Sequence, residues 1–449
     1  MQHAASMILL RWREELEVFW VRRRSNTSFL SGFHAFPGGL VEDEDHESAR
    51  DDLWAITSAA IRETQEEVEV ELHRERLEYI GHWIAPPYLV RKFDTHYFVY
   101  REGELSPVVT EGNEELDLGE WIRPKTALAR WRRGEVLLAP PTRAILRALD
   151  TDSSATHFPF FGTSEVMGDE PTLSPIRSNL MMIPLRTPTL PPATHTNCYI
   201  IGEEALFIVE PASPHPDVMD SLFSYLDERI AGGASLKAIL LTHHHHDHIG
   251  GVTEMVARYG LPVWAHKETA NRVPFKIDRE LTDGEIIEAD PKALWSVIHT
   301  PGHAPGHLCF LEQTTKSMIV GDMVAGLGSI LVEPTDGDMT EYLDSLALMR
   351  SLEPSCLLPS HGPPIGGADA KLSQYIDHRL DRERSLISAL KSGAVATQDL
   401  VDYVYSDVPK VLRAGPNGGL AGLSLRSHLN KLEHEGRVQV VGDEWRWRA

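Results

Sequence analysis

The chain has 449 residues, the length of two to four domains at about 100 to 200 residues each. With 42% hydrophobic and 24% charged residues, wholesale disorder is excluded. A net charge of −23 argues against general attraction to nucleic acid or to an anionic membrane. The apolar run at 7–10 is cut by Arg11 and Arg13 and is too short for a signal peptide, and no stretch approaches the roughly 20 apolar residues of a membrane span. Cys198, Cys309 and Cys356 lie far apart without paired spacing. This argues for a reducing, cytoplasmic setting and against a disulfide framework or a thiolate zinc site.

Residues 7–12 and 17–21 read as two β-strands around a charged turn. Phe36-Pro37-Gly38-Gly39-Leu40-Val41-Glu42 then leads to an acidic helix that contains Ile61-Arg62-Glu63-Thr64-Gln65-Glu66-Glu67. On a helix Glu63, Glu66 and Glu67 share one face, where they repel each other by a few tenths of a kcal/mol per pair unless a cation joins them. Mg²⁺ takes such oxygen ligands together with substrate phosphates. The segment resembles a Nudix box. The resemblance implies that the Gly-Gly loop positions the helix, and that Glu63, Glu66 and Glu67 hold Mg²⁺ and act catalytically on a diphosphate.

Two departures stand out: about ten extra residues, around 47–56, follow the Gly-Gly loop, and Glu69 replaces a late glycine of the box. With Arg91-Lys92-Phe93-Asp94-Thr95 and Pro140-Pro141-Thr142, the insertion resembles the coenzyme A diphosphohydrolase branch, which implies a nucleoside-diphosphate-linked substrate. An exposed acidic face without metal, and a fold that binds without cleaving, stand beside that reading.

This first domain spans 1–150. A stretch rich in Pro, Ser, Thr and Gly, including Pro159, Pro171 and Pro175, marks a linker over 151–178. In the next domain, 179–385, strands at 205–209, 237–241, 263–265, 296–299, 308–311 and 317–320 alternate with helices at 217–230, 251–259 and 340–352. Of 22 histidines, five fall within the six residues 243–248, directly after a strand. Alternation along the extended segment lets His243 and His245 face one cation together, and turns His244 and His246 away. Asp247 and His248, on the turn into a helix, can reach a second cation. Imidazole and carboxylate suit a hydrolytic zinc site.

Three later segments each bring a ligand-capable residue after a strand: Thr300-Pro301-Gly302-His303, Val320-Gly321-Asp322 and Ser360-His361-Gly362. Together they resemble a metallo-β-lactamase-fold hydrolase, with its His-x-His-x-Asp-His motif followed by His, Asp and His. The resemblance implies two zinc-type ions, one held by His243, His245 and His303, the other by Asp247, His248 and His361, with Asp322 bridging. Two such ions, about 3.5–4 Å apart, generate hydroxide at neutral pH and polarise a substrate oxygen; Asp247 is counted among the catalytic groups.

Glu210-Pro211-Ala212 stands where many members carry Asp-x-Gly, which bears on local geometry rather than on the ligands. Tyr342, Ser345 and Leu346, with the small C-terminal region, resemble the β-lactamase-like protein 2 branch, which implies hydrolysis of RNA phosphodiesters. The ligand set itself leaves thioesters open as substrates.

Residues 386–449 have helical periodicity at 397–405 and 423–435, then a hairpin around Gly442-Asp443-Glu444, as in a winged helix. This part is nearly neutral, and Arg426, His428 and Lys431 fall on one helix face expected to be exposed. Substrate or RNA contact, packing, dimerisation and cover for the metal site are all open readings.

The fold class expected is a multidomain α/β and α+β chain: a Nudix α/β/α domain, an αβ/βα metallo-β-lactamase sandwich and a small winged-helix-like domain. The partners expected are a small-molecule or RNA substrate, with no membrane and with a homodimer left open. Acyl-coenzyme A thioester hydrolysis is the second enzymatic reading. In a third, the outer domains are binding modules that serve one active site.

Overall fold

The computed structural model describes residues 1–448 apart from 28, 48, 87–88, 90–91, 102–104, 156–172, 291–292, 394–395, 416–417 and 443. Arg91, Asp443 and most of the expected linker, including Pro159 and Pro171, therefore lie outside the described residues.

The N-terminal sheet has eight strands built around Gln2–Trp12, which runs parallel to Phe93–Tyr100 and antiparallel to Leu16–Arg23. The central strand is apolar on both faces because each face is covered. Met7 and Leu9 pack with Ile56, Ala59 and Ala60 of helix Asp52–Val68. Ile8 and Leu10 pack under helices Pro124–Arg132 and Pro140–Thr151 through Leu128, Ile145 and Leu146. Helix Asp52–Val68 begins at Asp51, whose side chain accepts from the Trp54 N–H at 2.8 Å. It ends at Glu69 with φ 57° and ψ 34°, the left-handed conformation that glycine takes without a Cβ penalty.

The central part is two sheets face to face, one of seven strands from Ser174–Arg177 to Arg279–Glu280, and one of five from Ile286–Asp290 to Cys356–Pro359. Between them lie Tyr199, Val209, Leu240, Trp295, Val297 and Phe310. Helices Pro216–Ala231 and Val252–Tyr259 cover the outer face of the first sheet, and Met339–Ser351 covers the second. Strand Ser174–Arg177 already belongs to this sandwich, a few residues before the expected start at 179.

The N-terminal domain is not loosely tethered. Phe33 and Leu137 join the inter-sheet core, the Gly366 N–H donates to Ser31 O at 2.8 Å, and a Cβ on Gly367 would meet Ser25 O at 2.1 Å.

Helix Ala368–Lys391 runs across the boundary expected at 385/386. Leu372 and Tyr375 serve the sandwich, and Leu386, Ala389 and Leu390 serve the last core together with Leu400, Leu425, Leu429 and Trp445. The exposed face expected on helix Gly419–His434 is reduced to the half-buried Arg426. His428 is buried, and Lys431 pairs with Glu383 at 2.8 Å, because this helix lays that side against Ala368–Lys391.

Because Glu69 occupies a left-handed position, Glu69→Gly should raise stability against denaturant by about 1 kcal/mol, read from the unfolding midpoint of the N-terminal domain. An unchanged or lower midpoint would show that this backbone angle is not strained.

Candidate metal centre

The strand ends and loops of the sandwich bring the sequence-predicted residues to one edge. His243 follows strand Ser235–Leu240, His303 follows Ala293–His299, Asp322 follows Ser317–Gly321, and His361 follows Cys356–Pro359. His243 Nε2 and His303 Nε2 each lie 3.0 Å from His245 Nδ1. On the other side, His248 Nε2 and His361 Nε2 each lie 3.6 Å from an Asp247 carboxylate oxygen. Asp322 stands between the two groups, 3.7 Å from His303 Nε2, 3.6 Å from His248 Nε2 and 3.4 Å from His361 Nε2. All seven residues converge. His246 is exposed, and His244 turns instead to Asp336, at 3.2 Å.

The outer nitrogen of each converging imidazole meets an oxygen. His243 Nδ1 is 2.9 Å from Thr242 Oγ1, His303 Nδ1 2.9 Å from Leu331 O, His361 Nδ1 2.9 Å from His195 O, His248 Nδ1 3.0 Å from Glu210 Oε1, and His245 Nε2 2.9 Å from Asp336 Oδ2. A proton on each outer nitrogen leaves an inward lone pair. At 3.0 Å, two inward lone pairs oppose one another unless a cation lies between them. His248 Nε2 and Asp322 Oδ1 are buried without a hydrogen-bond partner, and His248 Nδ1 meets Glu210 as an ion pair rather than an aligned hydrogen bond, so the donor set fits a pair of divalent ions.

Burial holds the His243 imidazole well below its ordinary range, so it stays a neutral donor. Burial opposes protonation of His248 as well, but the carboxylates of Glu210, Asp322 and Asp247 outweigh it and raise this group; bound cations would take the place of that proton.

Glu210, at φ 56°, is fully buried. Its carboxylate accepts from Thr242 Oγ1 and from Ser360 Oγ, at 2.6 Å for the latter, and faces His248, so one side chain orients both ends of the histidine cluster and the His361 segment. The departure noted in sequence therefore reinforces the site.

His307 is a further support. Its Nε2 accepts from the Asp322 N–H at 3.1 Å while Nδ1 meets Thr300 Oγ1 at 2.8 Å. Gly321, at φ +48°, makes room for it, since a Cβ there would meet His307 Nε2 at 2.4 Å. Tyr342 donates to Met323 O and Ser345 to Pro301 O, which fixes the Asp322 and His303 loops. Asp336 was missed because it lies in an irregular loop with no pattern of its own.

The C-terminal domain supports that same loop region: Ser427 Oγ donates to Val332 O at 2.6 Å, next to the Leu331 carbonyl that orients His303.

The box glutamates are arranged less tightly. Glu67 is buried and its Oε2 accepts from the Gly38 N–H at 2.8 Å; burial pushes its carboxyl up to about 8. Glu63 and Glu66 are held by Arg62 at 2.9 and 3.2 Å, and Glu66 is largely exposed. Among the described residues, the donor groups gathered within 4.8 Å of one another do not include these three glutamates. A Cβ on Gly39 would lie 2.4 Å from the Glu63 carboxyl, so any larger residue there would displace that side chain.

Fold and site together define a metal-dependent hydrolase of metallo-β-lactamase type. Residues 191–361 match the metallo-β-lactamase superfamily, residues 1–139 the NUDIX domain, and residues 396–447 the β-lactamase-associated winged helix domain. An atrochrysone carboxyl ACP thioesterase of Aspergillus chevalieri is 29% identical over 226 residues, 48% of this chain and 69% of the relative. A β-lactamase-like protein 2 homologue of Caenorhabditis elegans is 28% identical over 250 residues, 54% of this chain and 80% of the relative. The lactamase-like protein nscB of Trichophyton rubrum is 32% identical over 200 residues, and the chain spans 58% of its length. A β-lactamase domain protein of Burkholderia ambifaria shares the fold, with a TM-score of 0.54 at 19% identity, covering 62% of this chain and 93% of that one.

Asp336→Asn should weaken zinc affinity about 10- to 100-fold by releasing His245, measured by competition with a chromophoric chelator; unchanged affinity would remove Asp336 from the support of the site. At the NUDIX domain, a carboxyl with a folded value near 8 is protonated at pH 7. Mg²⁺ binding through Glu67 should therefore release a proton at pH 7 and none well above pH 8, read from calorimetric titrations in buffers of different ionisation enthalpy. No release at pH 7 would exclude Glu67 as a ligand.

Proposed function

We propose that the central domain is a dinuclear zinc hydrolase acting on an acyl thioester. His243, His245 and His303 hold one ion, Asp247, His248 and His361 the other, and Asp322 serves both. Such ions supply hydroxide at neutral pH and polarise the oxygen of the attacked carbonyl. The observation that carries the metal assignment is the set of inward donors, each fixed by an oxygen behind it. The residues' own contribution is to aim those donors inward and hold them in place; a thiolate leaving group needs no acid positioned to protonate it.

Two observations favour a thioester over RNA, the substrate class implied by sequence resemblance. A cleft of about 500 Å³ lies between NUDIX residues 25–27 and 29–31 and the loops at 326–328 and 362–365, the second of which starts just after His361. Its wall carries Phe29, Leu30, Leu327 and Ile365, and Lys371 is the one charged side chain among its described lining residues. A pantetheine-like arm suits such a wall better than a polyanion does, and the C-terminal helix offers no basic face. One relative is named as a thioesterase of an acyl carrier protein. No described helix is long and apolar enough to cross a membrane. Three buried, unpaired cysteines support a cytoplasmic setting.

The NUDIX domain has the residues for Mg²⁺-dependent cleavage of a diphosphate, with Glu63, Glu66 and Glu67 as ligands once Arg62 yields Glu63 and Glu66. A coenzyme A thioester carries both a thioester and a diphosphate and so would meet the chemistry of both domains.

The test offers acyl-coenzyme A, acyl carrier protein thioester and single-stranded RNA in parallel to the zinc-equilibrated protein. Thioester cleavage is expected, lost in Asp322→Ala together with about two zinc ions and kept in His246→Ala with its full metal content. RNA cleavage without thioester cleavage would overturn the substrate, and full zinc content in Asp322→Ala would overturn the bridging role.

A further inference from the structure

A second histidine and carboxylate cluster lies in the NUDIX domain, away from both the box glutamates and the sandwich edge. It is set by sheet register. His3 is the Cα partner of Asp94 across the parallel pair of Gln2–Trp12 and Phe93–Tyr100, and His82 is the partner of His96 across the neighbouring antiparallel pair. Asp94 and His96 are two apart on one strand, so alternation puts all four side chains on the same face.

The side-chain contacts follow from that register. His3 Nδ1 lies 3.7 Å and His96 Nε2 3.5 Å from Asp94 Oδ2, and the three donors fall within 4.8 Å of one another. His82 Nδ1 binds the other oxygen, Oδ1, at 2.6 Å, which fixes the carboxylate and leaves Oδ2 facing the pair. Tyr79 OH lies 3.1 Å from His96 Nδ1, and in the tautomer whose Nδ1–H donates to that oxygen the lone pair is on Nε2. That Nε2 is buried and has no hydrogen-bond partner.

Asp94 itself is 7% exposed, and among the described residues the groups paired with it are imidazoles rather than Lys or Arg. An ion with bonds of about 2.0–2.2 Å to nitrogen and oxygen places neighbouring tetrahedral ligands roughly 3.3–3.5 Å apart. The two spacings to the Asp94 carboxylate need only a small closure, and the two imidazole donors lie within 4.8 Å of each other. As at the central site, donors are backed by further groups, Asp94 by His82 and His96 by Tyr79.

We propose that His3, Asp94 and His96 form a third metal site, for a zinc-type transition ion, that pins the first strand of the NUDIX sheet. The anchor is well placed to matter. The Val41 N–H donates to His3 O, and Gly38 and Gly39 pair with Ser6 and Ala5 of the same strand, so an ion at His3 holds the strand on which the Gly-Gly loop is built. Two imidazoles and one carboxylate exclude a hard oxygen-seeking ion such as Mg²⁺ as its preferred occupant.

The competing arrangement is a metal-free His82–Asp94 ion pair with His3 and His96 as bystanders. Equilibrium dialysis of the full chain against micromolar Zn²⁺, followed by elemental analysis, separates the two. His3→Ala and His96→Gln should each bind one zinc ion fewer than the unaltered protein. The same deficit should persist when His303→Ala has already depleted the central site, so failure of the central assignment leaves this test intact. Asp94→Asn should show the deficit while retaining a hydrogen bond to His82; if it fails to fold, the two histidine variants decide. Zinc should also raise the Tm of the NUDIX unfolding step in the unaltered protein and not in His3→Ala. Unchanged zinc content in either histidine variant would overturn the site and leave the ion pair as its whole role.

Discussion

The structure depends on the fixing of five imidazoles. His243, His245, His248, His303 and His361 each direct one nitrogen inward only because an oxygen stands behind the other: a threonine hydroxyl, two carboxylates and two backbone carbonyls. A histidine free to choose its tautomer would offer a proton as readily as a lone pair, and inward nitrogens 3.0 Å apart would rearrange into hydrogen bonds. With outer protons fixed, the arrangement is stable only around positive charge. The fold supplies that positive charge with a site before any ion arrives, at the expense of burying polar groups that lack other partners.

This explains why so much of the chain serves a few atoms. The two sheets place four ligand-bearing segments at one edge, but their exact orientation comes from elsewhere. Glu210 reaches two of the segments at once, Asn197 holds Pro359 O and Gly362 O on either side of His361, and the helix with Tyr342 and Ser345 fastens the other two. The winged domain enters the same network through Ser427 and the Val332 carbonyl. A role in buttressing the His303 and Asp336 loop accounts for that domain's position without any basic surface. The NUDIX domain is bound in by Phe33 and Leu137 within the central core, and its loop forms one wall of the cleft. The three domains thus share cores, which makes a common substrate for them physically reasonable.

Much of this was legible in the sequence because the chemistry sits on regular elements. Alternation along an extended segment separated His243 and His245 from His244, and the strand-then-ligand pattern located His303, Asp322 and His361. Strands such as Ala205–Val209 and Val263–Ala265 fell where their apolar runs placed them. Glu69 took the left-handed angle that its position in the box required. The residues that remained hidden act through tertiary contact. Asp336 lies in a loop without periodicity, His307 looks like any core histidine, and the cluster at His3 and Asp94 exists only once two strands 91 residues apart are in register. The exposed face expected for His428 and Lys431 failed for a related reason. A helix with apolar residues on several sides does not declare which polar ones its neighbour will cover, and the Glu383 carboxylate that receives Lys431 is 48 residues away.

X-ray absorption at the zinc edge tests the central claim most directly, because it reports the neighbours of the ion itself. On zinc-equilibrated protein carrying His3→Ala, so that only the sandwich edge contributes, the spectrum should require nitrogen and oxygen neighbours at about 2.0–2.2 Å, no sulfur, and a zinc–zinc vector at about 3.5–4 Å. A sulfur shell, or a spectrum of isolated ions with no metal–metal vector, would contradict a paired site built from these histidines and aspartates.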